Sequence, residues 1–265
     1  MTMDQNTKWL TKEMLTLHFK AAGLKKGDAL IVHGSLKALG FVFGGAETVV
    51  SALLEVIGDE GTLMSPAQTW KNLDPSTGVH WLQPQEWWPL FREHWPAFNK
   101  DVTPSIGMGA IAEMVRTWPN AKRSDHPARS FSAIGKHAKH LTAQHDLKNI
   151  FGEGSPLAKL YALDGKIVLL GVDHNKNTSL HLAETRADFP KKYVTESSAI
   201  TACGKREWVS YETLAVDDED FLTVGRAFEA AHHYAPITVG QGQLHVINQR
   251  QLVDFAQHWF TENRK

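Results

Sequence analysis

The chain has 265 residues and a formal net charge of -1, with 28 Lys and Arg against 29 Asp and Glu. This balance argues against nucleic-acid binding by bulk charge, which normally needs a basic excess, and no apolar run approaches the ~20 residues of a membrane helix. Cys203 is the only cysteine, which excludes an internal disulfide and a cysteine-clustered zinc site. Polar residues 1–9 indicate no signal peptide, so we expect a cytoplasmic protein, as a monomer or small homo-oligomer.

The first part of the chain predicts a helix over residues 11–24 and then a βαβ unit. Residues 29–32 form a short apolar run typical of a buried strand, a helix follows over residues 46–57, and residues 62–65 predict a second strand. A strand, a glycine-containing loop, a helix and a strand are typical of two parallel strands joined by a right-handed crossover.

Residues 67–104 differ from the rest of the chain, because they are rich in proline and tryptophan and only residues 85–94 have helical character. A connection of this length with so little regular structure is typical of a lid or a binding loop. A surface excursion without a function is the alternative. The tryptophans of this segment are Trp70, Trp81, Trp87, Trp88 and Trp95.

The remaining residues return to regular patterns and contain no repeat and no linker. We therefore predict one α/β domain over residues 1–265, with a mixed central sheet flanked by helices. The predicted helices are 108–118, 156–162, 178–188, 221–232 and a last one around 252–260, and the predicted strands are 131–134, 166–172, 237–239, 244–247 and a hairpin over 194–211.

Two glycine clusters lie between the first strand and its helix. His33-Gly34-Ser35-Leu36 follows the strand, and Gly44-Gly45 precedes the helix. Free N–H groups at such a helix N-terminus suit a phosphate or pyrophosphate group. The alternative is that these glycines serve only the backbone geometry of the turn.

A histidine and a carboxylate follow the strongly apolar strand at 166–172. His181 and Glu184 are three residues apart, so they share one face of the predicted helix. A carboxylate beside an imidazole fixes its tautomer and stabilises its protonated form, as a general base requires. The alternative is a histidine that caps the helix or packs at the surface.

A third polar cluster, Arg123-Ser124-Asp125-His126-Pro127, precedes the predicted strand at 131–134. Asp125 and His126 are candidates for a second catalytic or orienting pair. The stronger interpretation is a turn whose backbone Pro127 restricts.

Together with further segments, these motifs resemble those of the antibiotic N-acetyltransferase family, the aminoglycoside 3-N-acetyltransferases. They follow one consistent order over nearly the whole chain. The usual Val-His-Ser-Ser of that family is Val-His-Gly-Ser here, so Gly34 lacks one hydroxyl group. The matching segments are Leu30-Ile31-Val32-His33-Gly34-Ser35-Leu36, Gly44-Gly45, Asp59-Glu60-Gly61-Thr62-Leu63, Thr103-Pro104-Ser105, Met108-Gly109, Arg123-Ser124-Asp125-His126-Pro127, Ser155-Pro156-Leu157 and Asn177-Thr178-Ser179-Leu180-His181-Leu182-Ala183-Glu184.

The resemblance implies antibiotic resistance by acetyl-CoA-dependent acetylation of the 3-amino group on the 2-deoxystreptamine ring of aminoglycosides. We expect His181, oriented by Glu184, to be the general base in a direct transfer, because no histidine or cationic helix end is evident beside Cys203 beyond Lys205 and Arg206. We expect acetyl-CoA, the co-substrate, to contact His33, Gly34, Ser35, Leu36, Gly44, Gly45, Ser105, Ile106 and Met108.

A polycationic aminoglycoside requires carboxylates, and the net charge of -1 means that any acidic pocket is local. We expect the substrate to contact Trp70, Asp74, Asp101, Asp125, His126 and Glu153.

Three other functions stay open from the residues alone. One is an N-acetyltransferase of the same fold that acts on another amine in secondary metabolism. Another is a metal-dependent hydrolase that uses His33, His126, His174 and His181, but their spacing follows no metal-ligand pattern and we expect no metal. The last is a non-catalytic module that binds CoA or a drug, against which the His181–Glu184 pair argues.

Overall fold

The computed structural model describes residues 9–77 and 82–265, and its centre is a seven-stranded mixed sheet in the order β10-β11-β7-β2-β4-β6-β5. The strands are β1 (Trp9–Leu10), β2 (Ala29–Gly34), β3 (Phe41–Val42), β4 (Thr62–Pro66), β5 (Lys122–Arg123), β6 (Phe131–Gly135), β7 (Lys166–Leu170), β8 (Tyr193–Ala202), β9 (Lys205–Leu214), β10 (Ile237–Val239) and β11 (Gly242–Asn248). The helices are α1 (Lys12–Ala21), α2 (Leu36–Leu39), α3 (Gly45–Ile57), α4 (Trp88–His94), α5 (Gly109–Thr117), α6 (Ala138–Thr142), α7 (Pro156–Ala162), α8 (Leu180–Arg186), α9 (Phe221–Ala231) and α10 (Gln249–Asn263).

The three central strands β7, β2 and β4 are parallel, and antiparallel strands extend the sheet on both sides. Gly34 at the end of β2 lies opposite Leu170 at the end of β7. The carboxyl ends of three neighbouring strands therefore meet at one edge, which is where open α/β sheets bind ligands.

Apolar cores lie on both faces of the sheet. In β2, Leu30 and Val32 pack with α1, α3 and α5, whereas Ile31 packs on the opposite face with α7, α8, α9 and α10. The alternation follows from the two-residue period of a strand. It also explains why residues 29–32 of β2 and 167–170 of β7 are apolar at every position rather than at every second one.

The fold class is confirmed as a single α/β domain with a mixed central sheet. Every helix and strand that the sequence predicts is present to within a few residues. The sequence analysis missed β1, α2, β3, β5 and α6, because elements of two to five residues are too short to show a period.

Residues 67–104 pack against the hairpin of β8 and β9. Asp74 N donates to Ser197 O at 2.9 Å, and Phe98 N donates to Ala199 O at 2.9 Å. The buried guanidinium of Arg123 donates to Ala67 O at 2.6 Å and also to Thr103 O, so one side chain holds both ends of the segment. Trp81 and the rest of 78–81 lie outside the described residues.

Within 9–77 and 82–265, the longest and most apolar helices still fall short of what crossing a bilayer requires.

Candidate active site

The carboxyl ends of β2, β4 and β7 border a cleft of about 940 Å³. His33 and Gly34 come from β2, Ser65 and Pro66 from β4, and Val172 follows β7. Opposite walls come from α8, from the hairpin of β8 and β9, and from the start of α9. The cleft therefore lies at the sheet edge that the parallel strands create.

His181 on α8 lines this cleft with its Nδ1 atom 2.8 Å from Glu184 Oε2. Its ring stacks on Phe151, with the ring centres 4.7 Å apart and the planes 7° apart, and contacts Phe221 at 4.7 Å. Two aromatic rings and one carboxylate thus fix the orientation of the imidazole. An ionised carboxylate accepts hydrogen bonds but cannot donate them, so the neutral ring carries its proton on Nδ1. Nε2 then has the free lone pair and is the atom that can accept a proton.

Glu184 is buried and is held by two further groups. Its Oε1 accepts from Asp217 N at 2.9 Å and from Arg264 Nη1 at 2.6 Å. Burial alone would lower the pKa of Arg264, but hydrogen bonds to Asp220 and the charge of Glu184 raise it, so Arg264 stays a cation. A chain of contacts therefore runs from Arg264 through Glu184 to His181.

His33 is the second histidine of the cleft. It is buried at the end of β2, and its Nε2 has no hydrogen-bond partner among the described residues. Burial lowers the pKa of His33 to about 3. The ring is therefore neutral at physiological pH, and it can donate or accept a hydrogen bond but adds no charge to the cleft.

Gly34 packs closely against α5 and β7. A Cβ atom there would lie 2.7 Å from Ile111 Cδ1 and 3.3 Å from Leu170 O. A serine at this position, as in the usual motif, would need Ile111 of α5 to shift.

The sequence profile of the family described as aminoglycoside 3-N-acetyltransferase matches residues 31–261. The chain belongs to this family. Its curated relatives include the SPbeta prophage-derived aminoglycoside N(3')-acetyltransferase-like protein YokD of Bacillus subtilis, 42% identical over 96% of this chain and 93% of YokD. Aminoglycoside N(3)-acetyltransferase VII of Streptomyces paromomycinus is 35% identical over 96% of this chain and 92% of its own length.

Solved structures of relatives share the fold. The crystal structure of YokD superposes with a TM-score of 0.90 over 96% of this chain and 100% of that one, at 42% identity. AAC-IIIb, solved as a binary complex with CoASH, gives a TM-score of 0.86 over 97% of this chain and 98% of that one, at 28% identity. Members of the aminoglycoside 3-N-acetyltransferase family are acyltransferases, with acetyl-CoA as their co-substrate.

The residues expected to contact acetyl-CoA separate into two groups in this acetyltransferase. The cleft is lined by His33, Gly34, Ser35, Leu36 and Met108, but not by Gly44, Gly45, Ser105 or Ile106.

Physical reasons for the second group are visible. Gly44 and Gly45 have φ of 77° and 61°, so both lie in the left-handed region that favours glycine, in the turn before α3. The Ser105 hydroxyl donates to Glu113 Oε2 at 2.5 Å, and Ile106 N donates to Gln68 O at 3.0 Å.

The expected substrate residues separate in the same way. Trp70 lines the cleft and stacks against the guanidinium of Arg129, which lies 3.8 Å from its ring centre. Asp74, Asp101, Asp125 and Glu153 do not line it.

Three of these carboxylates are engaged elsewhere. Asp74 bonds Arg92 at 2.7 Å, Asp125 pairs with Lys100 at 3.1 Å, and Glu153 pairs with Arg186 at 2.6 Å. Although burial alone would raise the pKa of Asp74, hydrogen bonds from Arg92 and Ser76 lower it.

His126 is fully buried away from the cleft. Its Nδ1 accepts from Ala128 N at 3.2 Å and Arg129 N at 3.0 Å, so it closes the turn around Pro127. The interpretation of this motif as a turn therefore has a direct structural basis.

The sequence analysis missed the carboxylates that do line the cleft, Glu196 on β8 and Asp218 before α9. Glu196 is buried, its Oε1 bonds Arg129 Nη2 at 2.5 Å, and its Oε2 has no hydrogen-bond partner in the described part of the chain. Neither residue lies in a motif. The only sequence signal for Glu196 was the alternation of apolar and polar residues along β8, which is equally typical of a hairpin without a site.

Proposed function

We propose that this protein transfers the acetyl group of acetyl-CoA to the 3-amino group on the 2-deoxystreptamine ring of an aminoglycoside, directly and with His181 as the general base. The observation that carries the proposal is the His181–Glu184 pair on the wall of a large cleft, in a chain of this family.

The base has to take a proton from the protonated amine before the amine nitrogen can attack the thioester carbon. The C–S bond breaks when the tetrahedral intermediate collapses, and the departing CoA thiolate takes up the second amine proton. An aminoglycoside amine is mostly protonated near neutral pH, so it needs an acceptor within the cleft. Nδ1 of His181 is bonded to Glu184, which leaves Nε2 to accept the proton directly or through a water. The negative charge of Glu184 then stabilises the imidazolium that forms.

The thioester oxygen gains negative charge in the tetrahedral intermediate and needs hydrogen-bond donors. The N–H of Ser35 already donates to Leu170 O at 2.9 Å. The next N–H groups, of Leu36 and Lys37, start α2 and have no acceptor within that helix. Since both residues line the cleft, we assign stabilisation of the oxyanion to these two N–H groups and to the Ser35 hydroxyl.

Positively charged groups of the substrate need carboxylates, and Glu196 and Asp218 border the cleft. Glu196 Oε2 is buried without a hydrogen-bond partner in the described residues, so an ammonium group would supply the missing donor. Trp70 would pack against a sugar ring from the same side. These contacts lead to a preference for polyamine sugars over simple amines.

Direct transfer fits the position of Cys203, the single cysteine. It is exposed at the turn between β8 and β9 and does not line the cleft. A covalent acetyl-cysteine intermediate would therefore form away from the proposed base.

The test is CoA release from acetyl-CoA with kanamycin, gentamicin, apramycin and simple amines, followed by mass spectrometry and NMR of the acetylated position. We expect 3-N-acetylation of aminoglycosides, and a loss of at least about 10²-fold in kcat for His181→Ala. Cys203→Ala is the matched control and should keep wild-type turnover.

If the enzyme acetylates simple amines but no aminoglycoside, the physiological substrate is another amine and the proposal is wrong. A Cys203→Ala variant that folds but lacks activity would overturn direct transfer.

A further inference from the structure

A second cluster of ionisable side chains lies beside the cleft and takes no part in the function proposed above. His174 belongs to the 3₁₀ turn His174–Lys176, Glu229 to α9 and His245 to β11. Both histidines are completely buried, and Glu229 is 7% exposed. None of the three lines the cleft, although Asn175 and Lys176, which follow His174 directly, do.

The three side chains converge on one carboxylate oxygen. Glu229 Oε1 is hydrogen-bonded to His174 Nε2 at 3.3 Å and lies 3.1 Å from His245 Nδ1 without a hydrogen bond between them. One ligand atom from each residue falls within 4.8 Å of the other two. Ligand atoms about 2.0–2.2 Å from a tetrahedral zinc ion are separated by about 3.3–3.6 Å, so modest movement would seat an ion between them.

His245 has the more informative surroundings. Within the described residues neither of its ring nitrogens makes a hydrogen bond with acceptable angles, despite the 3.1 Å approach to Glu229. The lone pair of a metal ligand points at the ion and not at the neighbouring ligand atom. A short N···O distance with a poor hydrogen-bond angle is therefore the relation expected between two ligands of one ion.

We propose that His174, Glu229 and His245 bind a divalent transition-metal ion of the zinc class. Two imidazoles and one carboxylate are a ligand set that zinc uses, with a water in the fourth position. The site is separate from the acetyl-transfer machinery, so the proposal does not depend on the proposed function.

The burial of the two imidazoles suits a ligand role. Both rings are completely buried, and the neutral ring is the form that binds metals. The arrangement without an ion would be two neutral rings that donate to the same oxygen of Glu229. That arrangement is the competing outcome of the test.

The groups around the cluster hold the ligands in place. Arg226 donates to Glu229 Oε2 at 2.6 Å and also pairs with Asp173, which leaves Oε1 to face the imidazoles. A Cβ atom on Gly225 would lie 2.0 Å from His174 Cγ, so only a glycine lets α9 approach His174 this closely. Outer contacts that orient ligands in this way are common around metal sites.

The role of such an ion would be structural. It would join β11 and α9 to the 3₁₀ turn whose next residues, Asn175 and Lys176, border the cleft. We therefore expect bound zinc to stabilise the fold, which a measurement independent of activity can show.

The test begins with protein stripped by a chelator and then dialysed. Zinc is added alone and followed by calorimetry and by the unfolding temperature. We expect about one ion per chain and a Tm increase of about 5 °C or more at a hundredfold excess over Kd.

Two variants locate the ion. His245→Gln should abolish binding and the Tm increase, whereas His258→Gln should retain both. His258 is the matched control, because it pairs with Glu262 at 3.2 Å on the exposed face of α10 and is a natural site for adventitious zinc.

Equal zinc binding by wild type and His245→Gln would overturn the proposal, as would no binding by wild type. Cobalt spectroscopy of the wild type keeps the test decisive if His245→Gln does not fold. Intense visible bands of four-coordinate Co²⁺ support the site, and a weak six-coordinate spectrum overturns it.

Discussion

Two histidines that stand out in the sequence, His181 and His126, occupy opposite environments in the structure. His181 lines the cleft, and its Nδ1 is bonded to Glu184. His126 is completely buried, and its Nδ1 accepts from the backbone of Ala128 and Arg129. Nδ1 of His181 therefore faces a hydrogen-bond acceptor, whereas Nδ1 of His126 faces two hydrogen-bond donors.

This difference decides what each ring can do. When a carboxylate takes the Nδ1 proton, Nε2 keeps its lone pair and can act as a base. When backbone N–H groups occupy Nδ1, the proton of the neutral ring lies on Nε2, which can only donate. Burial also lowers the pKa of His126 far below its usual value. A histidine in a polar motif is thus a candidate base only if an acceptor holds its other nitrogen.

Among variants that change the partners of the two histidines and not the proposed base itself, Glu184→Gln is expected to cause the largest loss of rate. A glutamine amide can donate to Nδ1 of His181 and so favour the wrong tautomer, as in mutants of catalytic triads. We expect kcat to fall by about 10²-fold or more while the KM for acetyl-CoA stays near wild type. Steady-state kinetics with circular dichroism to check the fold would measure this. A variant with wild-type kcat would remove Glu184 from the mechanism.

Arg264→Gln should give a smaller loss, about tenfold in kcat, because one of the two groups that position Glu184 is lost. Glu184 Oε1 would then keep only the hydrogen bond from Asp217 N, so Glu184 would orient His181 less precisely. The KM for acetyl-CoA should stay near wild type.

The matched control is Arg250→Gln, which changes an arginine at the other end of α10. Arg264→Lys should restore part of the rate, since it restores the charge. A wild-type kcat in a folded Arg264→Gln variant would show that this arginine does not position Glu184.

His126→Ala should leave the rate of the folded enzyme unchanged and lower its stability. The substitution empties a buried site and leaves two backbone N–H groups without their acceptor, which costs about 2–4 kcal/mol. Urea unfolding with parallel assays would measure both effects. A drop in kcat with unchanged stability would reverse the assignment of the two histidines.

The smallest effect concerns pH and stability. Burial is the main cause that lowers the pKa of His145 to about 4. An unfolded histidine binds a proton near pH 6.5. Between these values the unfolded chain binds the extra proton, so the stability contributed by neutral His145 is lost as pH falls from about 6.5 to about 4.

As pH falls across that range, the free energy of unfolding measured with urea should therefore decrease less steeply for His145→Gln than for wild type. The two slopes should differ by up to about 1.4 kcal/mol per pH unit. Parallel curves for the two proteins would contradict the buried neutral state of His145.

Most of the fold could be predicted because its longer helices show a period and its central strands are short, continuous apolar runs. The parallel pairing of β2 and β4 followed from the strand, loop, helix and strand order. The position of the antiparallel strands could not be predicted in the same way, since β11 pairs with β7 across a long separation in sequence. Pairing of this kind depends on tertiary packing.

The site was predictable where its residues follow strands. His33 to Leu36 end β2, and His181 follows β7, so topology alone brings them to one cleft. The expected carboxylates lie elsewhere because a charged loop residue has the same pattern whether it faces the cleft or solvent. Glu196 and Arg264 reach the site through a hairpin and a last helix, whose placement only the folded chain determines.

Arg123 has a consequence for how the proline- and tryptophan-rich segment can vary. Its guanidinium binds the carbonyl groups of Ala67 and Thr103, which are backbone atoms that every amino acid possesses. The attachment points therefore tolerate sequence change on both sides, provided that Arg123 is kept. The span between them can therefore exchange residues such as Trp70, which lines the cleft, while Arg123 still holds its two ends.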